Sequence, residues 1–317
     1  MHDIFSAPLL RARFKATGRL GLASGITAIV LCIDVVWLLL AGWSVSGRGV
    51  AVLMLGVAAC LAPLAIRRYR SDARIRTTMR FCALLLIFQA AAATLSYLVV
   101  STNAALVDAP LAACDRVLGF DWLALQAWLH AHTRLQALLQ LAYSSGLLQL
   151  VFVVLFLGLT GRHARLEEFM LLFIAATLLT IAVSGLFPAA GAWKFYADAG
   201  PFDLSSLSHF ERLRDGRLRD IALDHMQGLI SIPSLHAAMA VLLAHAVRGT
   251  RIVLPVFAGL DLAMLASTPI DGGHYLVDVL AGGALALALI WLVRERRTHR
   301  AAALHAAPIT SLEALHP

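Results

Sequence analysis

Long apolar runs alternate with short polar or basic segments along the whole chain. A helix that crosses the ~30 Å hydrocarbon layer needs about 20 residues, and most of the runs reach that length. The sixth and seventh runs are shorter and share a tight turn. The runs cover residues 22–43, 49–66, 81–101, 135–160, 167–188, 233–248, 252–270 and 274–293. This pattern predicts an all-α integral membrane protein with about eight transmembrane helices.

Composition supports a membrane environment and argues against two other classes of protein. Hydrophobic residues make up 60% of the 317 residues and charged residues only 14%, which is more apolar surface than a water-soluble core could bury. The net charge of +7 would suit nucleic acid, but Arg and Lys lie in short clusters between the apolar runs. None of the four cysteines forms the close pair that a metal or redox motif requires. We therefore expect no nucleic-acid partner and no cysteine metal site.

The basic clusters predict how the chain is oriented. Cytoplasmic loops are enriched in Lys and Arg, and with eight spans every cluster falls on the same side. The clusters are Arg11, Arg13, Lys15 and Arg19; Arg67, Arg68, Arg70, Arg74, Arg76 and Arg80; Arg162 and Arg165; Arg248 and Arg251; and Arg294, Arg296, Arg297 and Arg300. We expect a protein of the bacterial inner (plasma) membrane, with both termini cytoplasmic and its active site on the periplasmic or outer side.

Two long connections lie on the predicted outer side. Residues 102–134 carry apolar positions at roughly helical spacing between aspartates and tryptophans, which predicts a helix lying in the membrane interface. Residues 189–232 contain Lys194 and the segment "ERLRDGRLRD", an unusually basic stretch for an outer loop. This stretch favours a role in binding anions. The alternative is a solvated loop whose charges are balanced by its own Asp and Glu residues.

The first candidate motif is "SIPSLHAAMAV", residues 231–241. Ser231 or Ser234 can cap a helix, and Pro233 fits its first turn, where a missing N–H is harmless. The free N–H groups and positive dipole end of such a helix attract anions, and His236 lies in the first turn. Capping alone would also explain these residues.

The second candidate motif is "ASTPIDGGHYLVDVLAGGALA", residues 266–286. His274 and Asp278 are four residues apart, so they share one face of a helix. Asp278 can accept the proton of one ring nitrogen and leave the other nitrogen's lone pair for a nucleophile or base. A capping and packing pair is the alternative. Because both motifs open helices on the predicted outer face, separated by a short hairpin, we interpret them as one site.

Together, "IPSLHAA" and "GGHYLVDVLAG" resemble the second and third signature motifs of the type 2 phosphatidic acid phosphatase superfamily. They are most similar to its inositolphosphotransferase-like branch, which includes the fungal inositol phosphorylceramide synthases. The resemblance implies a metal-independent attack on a phosphoryl group at the outer membrane face, with a phosphohistidine intermediate and no cofactor. It makes His274 the nucleophile, Asp278 its orienting partner and His236 the general acid.

The sequence also departs from the superfamily pattern. The first motif, a lysine followed after six residues by arginine and proline, is not present, and "GLFPAAGAWKFY" resembles its proline-rich equivalent in the inositolphosphotransferase-like branch. Thr268 stands where the hydrolases have an arginine, and Leu235 where they have a glycine. A phosphomonoester carries up to two charges and a diester one, so the lost arginine favours a diester head group. The predicted phosphate-binding residues are Lys194, Arg214 as the substitute cation, Ser234 and Thr268.

The resemblance divides the chain into four regions. Residues 1–101 form an N-terminal three-helix membrane region and 102–134 an interfacial helical connection. Residues 135–293 form the catalytic membrane domain, a helical bundle of the type 2 phosphatidic acid phosphatase kind, and 294–317 a cytoplasmic tail. The expected partners are a membrane lipid phosphate and an alcohol or water acceptor. The motifs leave the lipid, the acceptor and the oligomeric state open.

Three other functions compete with head-group transfer. A lipid phosphate phosphatase acting on phosphatidic acid or undecaprenyl pyrophosphate would use the same residues. A proton-coupled transporter could use His236 with His245 and Asp261, which fall at similar depth on adjacent helices and could pair. However, the internal repeats typical of transporters are not evident. A zinc site of His236, His274 and Asp278 is the third alternative, because these ligand types suit zinc.

Overall fold

The computed structural model describes residues 7–199 and 208–306, and the side chains of residues 18–199 and 208–295. Within these ranges the chain is mostly helical, which confirms the predicted all-α class. The helices are α1 (Ala7–Ala41), α2 (Gly47–Leu61), α3 (Arg67–Ser71), α4 (Ala73–Val100), α5 (Asp108–Val117), α6 (Trp122–His130), α7 (Thr133–Ser144), α8 (Gly146–Leu159), α9 (His163–Leu186), α10 (Ala192–Phe195), α11 (Ser208–Arg214), α12 (Leu235–Ala246), α13 (Val253–Asp271) and α14 (Leu276–Ala306). Two strands, β1 (Ser44–Val45) and β2 (Asp220–Ile221), were not predicted.

Six helical segments in the described ranges are long and apolar enough to cross a bilayer. They are Gly18–Ala41, Gly47–Ala65, Ala73–Val100, His163–Leu186, Val253–Asp271 and Leu276–Glu295. The pair α7 and α8, bent by 44°, makes a seventh if it counts as one span. The sixth predicted run forms α12, a shorter apolar helix of 12 residues. The predicted count of eight therefore requires that both the α7–α8 pair and α12 are counted as spans.

The core of the bundle is built around α12. It packs against α8, α9, α13 and α14, and its buried alanines and leucines join the largest apolar cluster of the described chain. Small residues allow close approach of these helices, as is common in membrane bundles. A Cβ atom on Gly282 would lie 2.1 Å from the carbonyl oxygen of Ser234. Glycine at this position is therefore what brings the start of α12 against α14.

The first helices form an outer layer on α4. Both α1 and α2 pack against α4, and much of the surface of α2 is exposed apolar side chains, as expected for a lipid-facing helix. Asp72 is the N-cap of α4, and its carboxylate accepts hydrogen bonds from the backbone N–H groups of Arg74 and Ile75. Strands β1 and β2 pair in parallel and tie the turn after α1 to the second long connection.

The basic loops converge at one end of the bundle. Arg248 pairs with Glu168 at 3.0 Å and the Arg165 guanidinium donates to the Arg248 carbonyl, which joins the first turns of α9 to the loop before α13. Arg19 lies 3.9 Å from Glu167. This grouping agrees with the predicted topology, and the side of the membrane stays a prediction. Six of the predicted basic side chains lie outside the described ones: Arg11, Arg13, Lys15, Arg296, Arg297 and Arg300. The predicted tail beyond residue 306 also lies outside the described residues.

The expected single interfacial helix in residues 102–134 is instead two helices, α5 and α6. Gly119, at φ +74°, follows the end of α5 in the left-handed conformation that favours glycine. Asp121 then caps α6 by accepting a hydrogen bond from the N–H of Ala124 at 3.0 Å. Because the apolar positions keep helical spacing on both sides of Gly119, the sequence pattern alone did not show this break.

Candidate active site

The second motif places its histidine and aspartate at the start of α14. His274 precedes the helix and Asp278 lies in its first turn. The Nδ1 atom of His274 is 3.4 Å from Oδ2 of Asp278, and the two side chains are 5% and 0% exposed. A proton on Nδ1 directed at the carboxylate leaves a lone pair on Nε2. The local spacing therefore produces the contact that the sequence predicted.

Asp278 is held by groups from both motifs. Its Oδ2 atom accepts hydrogen bonds from the Ser231 hydroxyl at 2.6 Å and from the Tyr275 N–H at 3.1 Å. Its backbone carbonyl accepts from the Ser234 N–H at 3.0 Å. These hydrogen bonds hold the Asp278 carboxylate in place beside the His274 ring.

Of the two predicted caps, the first motif uses the second to start α12. Helix α12 begins at Leu235 with Ser234 as its N-cap, so Pro233 precedes the cap and does not occupy the first turn. The Ser234 hydroxyl accepts from the Ala237 N–H at 3.3 Å and lies 3.4 Å from Nε2 of His274. Ser231, the other possible cap, contacts Asp278 instead. The two motifs therefore meet at Ser234.

His236 lies in the first turn of α12 and is positioned by a residue that the sequence analysis missed. The Tyr143 hydroxyl, from α7, is 3.2 Å from Nδ1 of His236. The two rings also stack, with centroids 4.3 Å apart and planes inclined by 27°. A hydrogen bond and a stacked ring together restrict the imidazole to one orientation.

Two further buried aspartates, also missed, hold the start of α14. Asp115 accepts hydrogen bonds from the N–H groups of Leu276 and Val277, at 2.9 and 3.0 Å, and so caps the helix. Burial raises the pKa of Asp115, and these two N–H groups oppose that rise. Asp108 accepts from the Tyr275 hydroxyl at 2.9 Å and from backbone N–H groups of the loop before α10. Their seven-residue spacing, two turns on one helix face, was a signal that these aspartates act together.

The two glycines before His274 have separate structural reasons. A Cβ atom on Gly272 would lie 2.8 Å from both the Tyr143 hydroxyl and the His274 ring. Gly273 has φ +62°, and a side chain there would meet the Trp193 ring at 2.6 Å. The Gly273 carbonyl accepts a hydrogen bond from the Ala192 N–H at 2.6 Å. Glycine is therefore required for the close approach of α7, α10 and His274.

Both histidines line one cavity of about 310 Å³. It reaches from the segment Met226–Ile230 down between α4 and α9, and Tyr143 and Gly272 complete the wall near the rings. Side chains of Lys, Arg, Asp and Glu do not occur among its lining residues. The cavity therefore combines apolar walls with hydroxyl and amide groups and has two imidazoles at one side.

The predicted phosphate-binding residues do not all meet at this cavity. Ser234 is in contact with His274 as described above. Lys194 pairs with Glu211 at 2.8 Å, and Arg214 donates to the Ala104 carbonyl at 2.9 Å. The Thr268 hydroxyl donates to the Met264 carbonyl of its own helix at 2.6 Å. In the part of the chain that the structure describes, no hydrogen bond or ion pair joins these three residues to either histidine.

The suggested pairing of His245 with Asp261 is wrong. His245 lies 3.1 Å from Glu168, which also binds Arg248. Both carboxylate oxygens of Asp261 are buried with no hydrogen-bond partner among the described residues. His245 therefore contacts α9 and not α13. The proton path that the transporter hypothesis requires, from His245 to Asp261, is not formed.

The structure also bears on the zinc alternative. Across the described residues, no group of three or more His, Cys, Asp or Glu side chains is arranged to hold a metal ion. The geometry therefore does not assemble His236, His274 and Asp278 into a ligand set.

These features define a membrane-embedded helical site in which an aspartate orients one histidine beside a second histidine. A family model described as the PAP2 superfamily matches residues 109–292, more than half of the chain. The chain belongs to the PAP2 superfamily, which confirms the resemblance seen in the motifs at the level of the superfamily. No curated protein and no solved structure matches the chain. Membership indicates phosphatase or phosphotransferase activity on lipid phosphates.

Proposed function

We propose that this protein is a membrane lipid phosphotransferase or phosphatase that acts on a phospholipid head group through a phosphohistidine at His274. One observation carries the proposal: Asp278 holds Nδ1 of His274, while Nε2 lies on the side of Ser234 and the ring lines the cavity shared with His236. An imidazole fixed in this way is an activated nucleophile, and a second imidazole supplies acid and base catalysis.

The first half-reaction transfers the phospho-head group to the protein. Nε2 of His274 attacks phosphorus and forms an N–P bond while the bond from phosphorus to the lipid alcohol oxygen breaks. Protonated His236 gives its proton to that oxygen, so the lipid leaves as a neutral alcohol. Asp278 stabilises the positive charge that develops on the His274 ring.

The second half-reaction returns His274 to its starting state. Neutral His236 takes the proton of an acceptor alcohol or water, whose oxygen attacks phosphorus as the N–P bond breaks. An alcohol acceptor gives head-group transfer and water gives hydrolysis. Both reactions use the same residues and require no cofactor in this scheme.

Head-group transfer is the reaction that we favour, with phosphoinositol as the example suggested by the inositolphosphotransferase-like motifs. Thr268 replaces the arginine of the hydrolases, and the cavity lining carries no Lys or Arg. A phosphomonoester dianion would be poorly compensated there, whereas a diester brings one charge. Lys194, Arg214, Ser234 and Thr268 stay our predicted phosphate-binding residues, and Ser234 has the most direct support from its distance to His274.

The location that we propose is the bacterial inner membrane, with the site on the periplasmic or outer side. Contacts between three of the basic clusters, at the end of the bundle away from His236 and His274, support this topology. Both termini would then be cytoplasmic.

A substrate comparison tests the proposed function. Purified protein would be incubated with labelled phosphatidylinositol, phosphatidic acid or undecaprenyl pyrophosphate, each with and without ceramide or diacylglycerol. We expect the labelled head group to appear on the added alcohol. Release of inorganic phosphate alone would establish the phosphatase alternative, and no reaction with any of these lipids would contradict the proposal.

A further inference from the structure

The cavity beside the histidines contains polar groups that the proposed chemistry does not use. The name α4–α9 cavity refers here to its lower part, which is lined by Gln89 and Ser96 from α4 and by Thr177, Thr180 and Ile181 from α9. These residues lie within two helices long enough to span a membrane. Polar side chains at such depth carry a cost in lipid and usually mark a ligand path or an internal contact.

Thr180 is the polar group in this cavity that most clearly lacks an explanation. It is 1% exposed, and its hydroxyl is buried with no hydrogen-bond partner in the described residues. An unsatisfied buried hydroxyl costs about 1–3 kcal/mol. Such a group is accounted for if a ligand supplies the missing hydrogen bond.

The other polar groups define what that ligand would contain. The hydroxyls of Ser96 and Thr177 donate to carbonyls of their own helices, at 2.7 and 2.9 Å, so their oxygens remain able to accept. The Gln89 amide offers both donors and an acceptor. A hydroxyl group is both a donor and an acceptor and matches this mixture, whereas a quaternary ammonium matches none of it.

The charges of the lining residues also favour an uncharged ligand. Among the cavity's lining residues, titratable side chains occur only at Tyr143, His236 and His274, all at the end where the phosphate would be placed. A charged group between α4 and α9 would have no counter-ion in this lining, and an unpaired buried charge is strongly unfavourable. An uncharged ligand avoids this cost.

We infer that the α4–α9 cavity binds an uncharged, hydroxyl-bearing group next to the reacting phosphate, either the polyol head group of the donor lipid or the acceptor alcohol. This inference rests on the proposed function and adds the substrate class to it. At about 310 Å³ the whole cavity lies at the small end of the volumes typical of ligand sites, about 300–1,000 Å³. It suits a compact group and not a complete lipid.

The test replaces one hydroxyl or amide at a time without changing the shape of the site. Thr180→Val and Gln89→Leu remove hydrogen-bonding groups from the cavity. Thr94→Val is the matched control, because Thr94 is 6% exposed on α4, bonds the Ala90 carbonyl and does not line the cavity. All three proteins should match the wild type in elution volume, and none should unfold at a lower temperature; Thr180→Val should unfold at the same or a higher temperature, because it removes an unsatisfied buried hydroxyl.

The donor arm measures kcat/KM for hydrolysis of phosphatidylinositol, phosphatidylglycerol and phosphatidylcholine with the same acyl chains. If the cavity holds the head group, Thr180→Val and Gln89→Leu lower the value for the two polyol lipids about 5- to 10-fold, from a lost hydrogen bond of about 1 kcal/mol. The value for phosphatidylcholine changes less than twofold. The Thr94→Val protein keeps all three values.

The acceptor arm measures the ratio of transfer to hydrolysis at a fixed concentration of added alcohol. If the cavity holds the acceptor, the rate of hydrolysis is unchanged in both variants, and the ratio of transfer to hydrolysis falls about 5- to 10-fold. Equal losses for all three lipids with an unchanged ratio, or no loss in either arm, would overturn the inference.

A binding measurement separates this inference from the proposed function. If the wild type cleaves none of the lipids, the proposed function fails, and calorimetry with glycerophosphoinositol and glycerophosphocholine decides the role of the cavity. Tighter binding of the inositol compound, by fivefold or more, that is lost in Thr180→Val would support the inference. Equal binding of the two compounds would refute it.

Discussion

Replacing His274 by alanine should lower turnover by about 10,000-fold or more, because no covalent intermediate can form without its Nε2 atom. Asp278→Asn should retain weak activity, since it loses only the charge and orientation that the carboxylate provides. The measurement is the single-turnover rate of lipid cleavage at saturating enzyme. The order of the two variants, with His274→Ala the slower, is part of the prediction.

Folding must be controlled for the His274 experiment, because the side chain is only 5% exposed. His225→Ala is a suitable comparison, since His225 is exposed and its ring lies 3.6 Å from Asp224, outside the proposed active site. A His274→Ala protein that unfolds at the wild-type temperature and still turns over at the wild-type rate would exclude His274 as the nucleophile.

Replacing His236 by alanine should lower the rate by about 100- to 10,000-fold for natural lipids, the usual contribution of general acid catalysis. The alkoxide of diacylglycerol is a poor leaving group and needs a proton. A substrate whose leaving group is p-nitrophenolate does not, so the His236→Ala protein should cleave it at close to the wild-type rate in the first turnover. The same substrate should not rescue His274→Ala.

This difference between the two histidines separates their roles. A purely structural effect of His236→Ala, from loss of the stack with the Tyr143 ring, would lower the cleavage rates of both substrates by the same factor. An equal loss with the lipid and with the p-nitrophenyl ester would therefore contradict the assignment of His236 as the acid.

Much of the fold followed from local sequence patterns. The apolar runs correspond to α1, α2, α4, the α7–α8 pair, α9, α12, α13 and α14, because the need to satisfy backbone groups in lipid leaves few alternatives to a helix. The contact between His274 and Asp278 was also predictable, since four-residue spacing at a helix start places two side chains within reach. These features depend on neighbours in the chain.

The contacts that were missed join residues far apart in sequence. Asp115 caps a helix that begins 161 residues later, and Tyr143 reaches His236 across 93 residues. Neither could follow from periodicity, which reports only the face that a residue occupies. As a consequence, we propose that the connection 102–134, assigned to the interface from its sequence, works together with the catalytic region 135–293.

The outer connection shows what the charge of a segment leaves undetermined. A basic loop predicted an anion site, but Lys194 and Arg214 are engaged with Glu211 and Ala104. The sequence gives the charge of a segment and not the partners that neutralise it. In the same way, the similar depth of His245 and Asp261 predicted that they pair, but His245 contacts Glu168 on α9 instead.

Stereochemistry at phosphorus tests the central claim most directly. A phosphorothioate analogue of phosphatidylinositol with known configuration at phosphorus would be used as donor, and the configuration of the product formed on the acceptor alcohol would be determined. Each in-line displacement inverts phosphorus, so passage through a phosphohistidine at His274 predicts overall retention. Inversion would show a single direct transfer to the acceptor and would contradict the covalent mechanism.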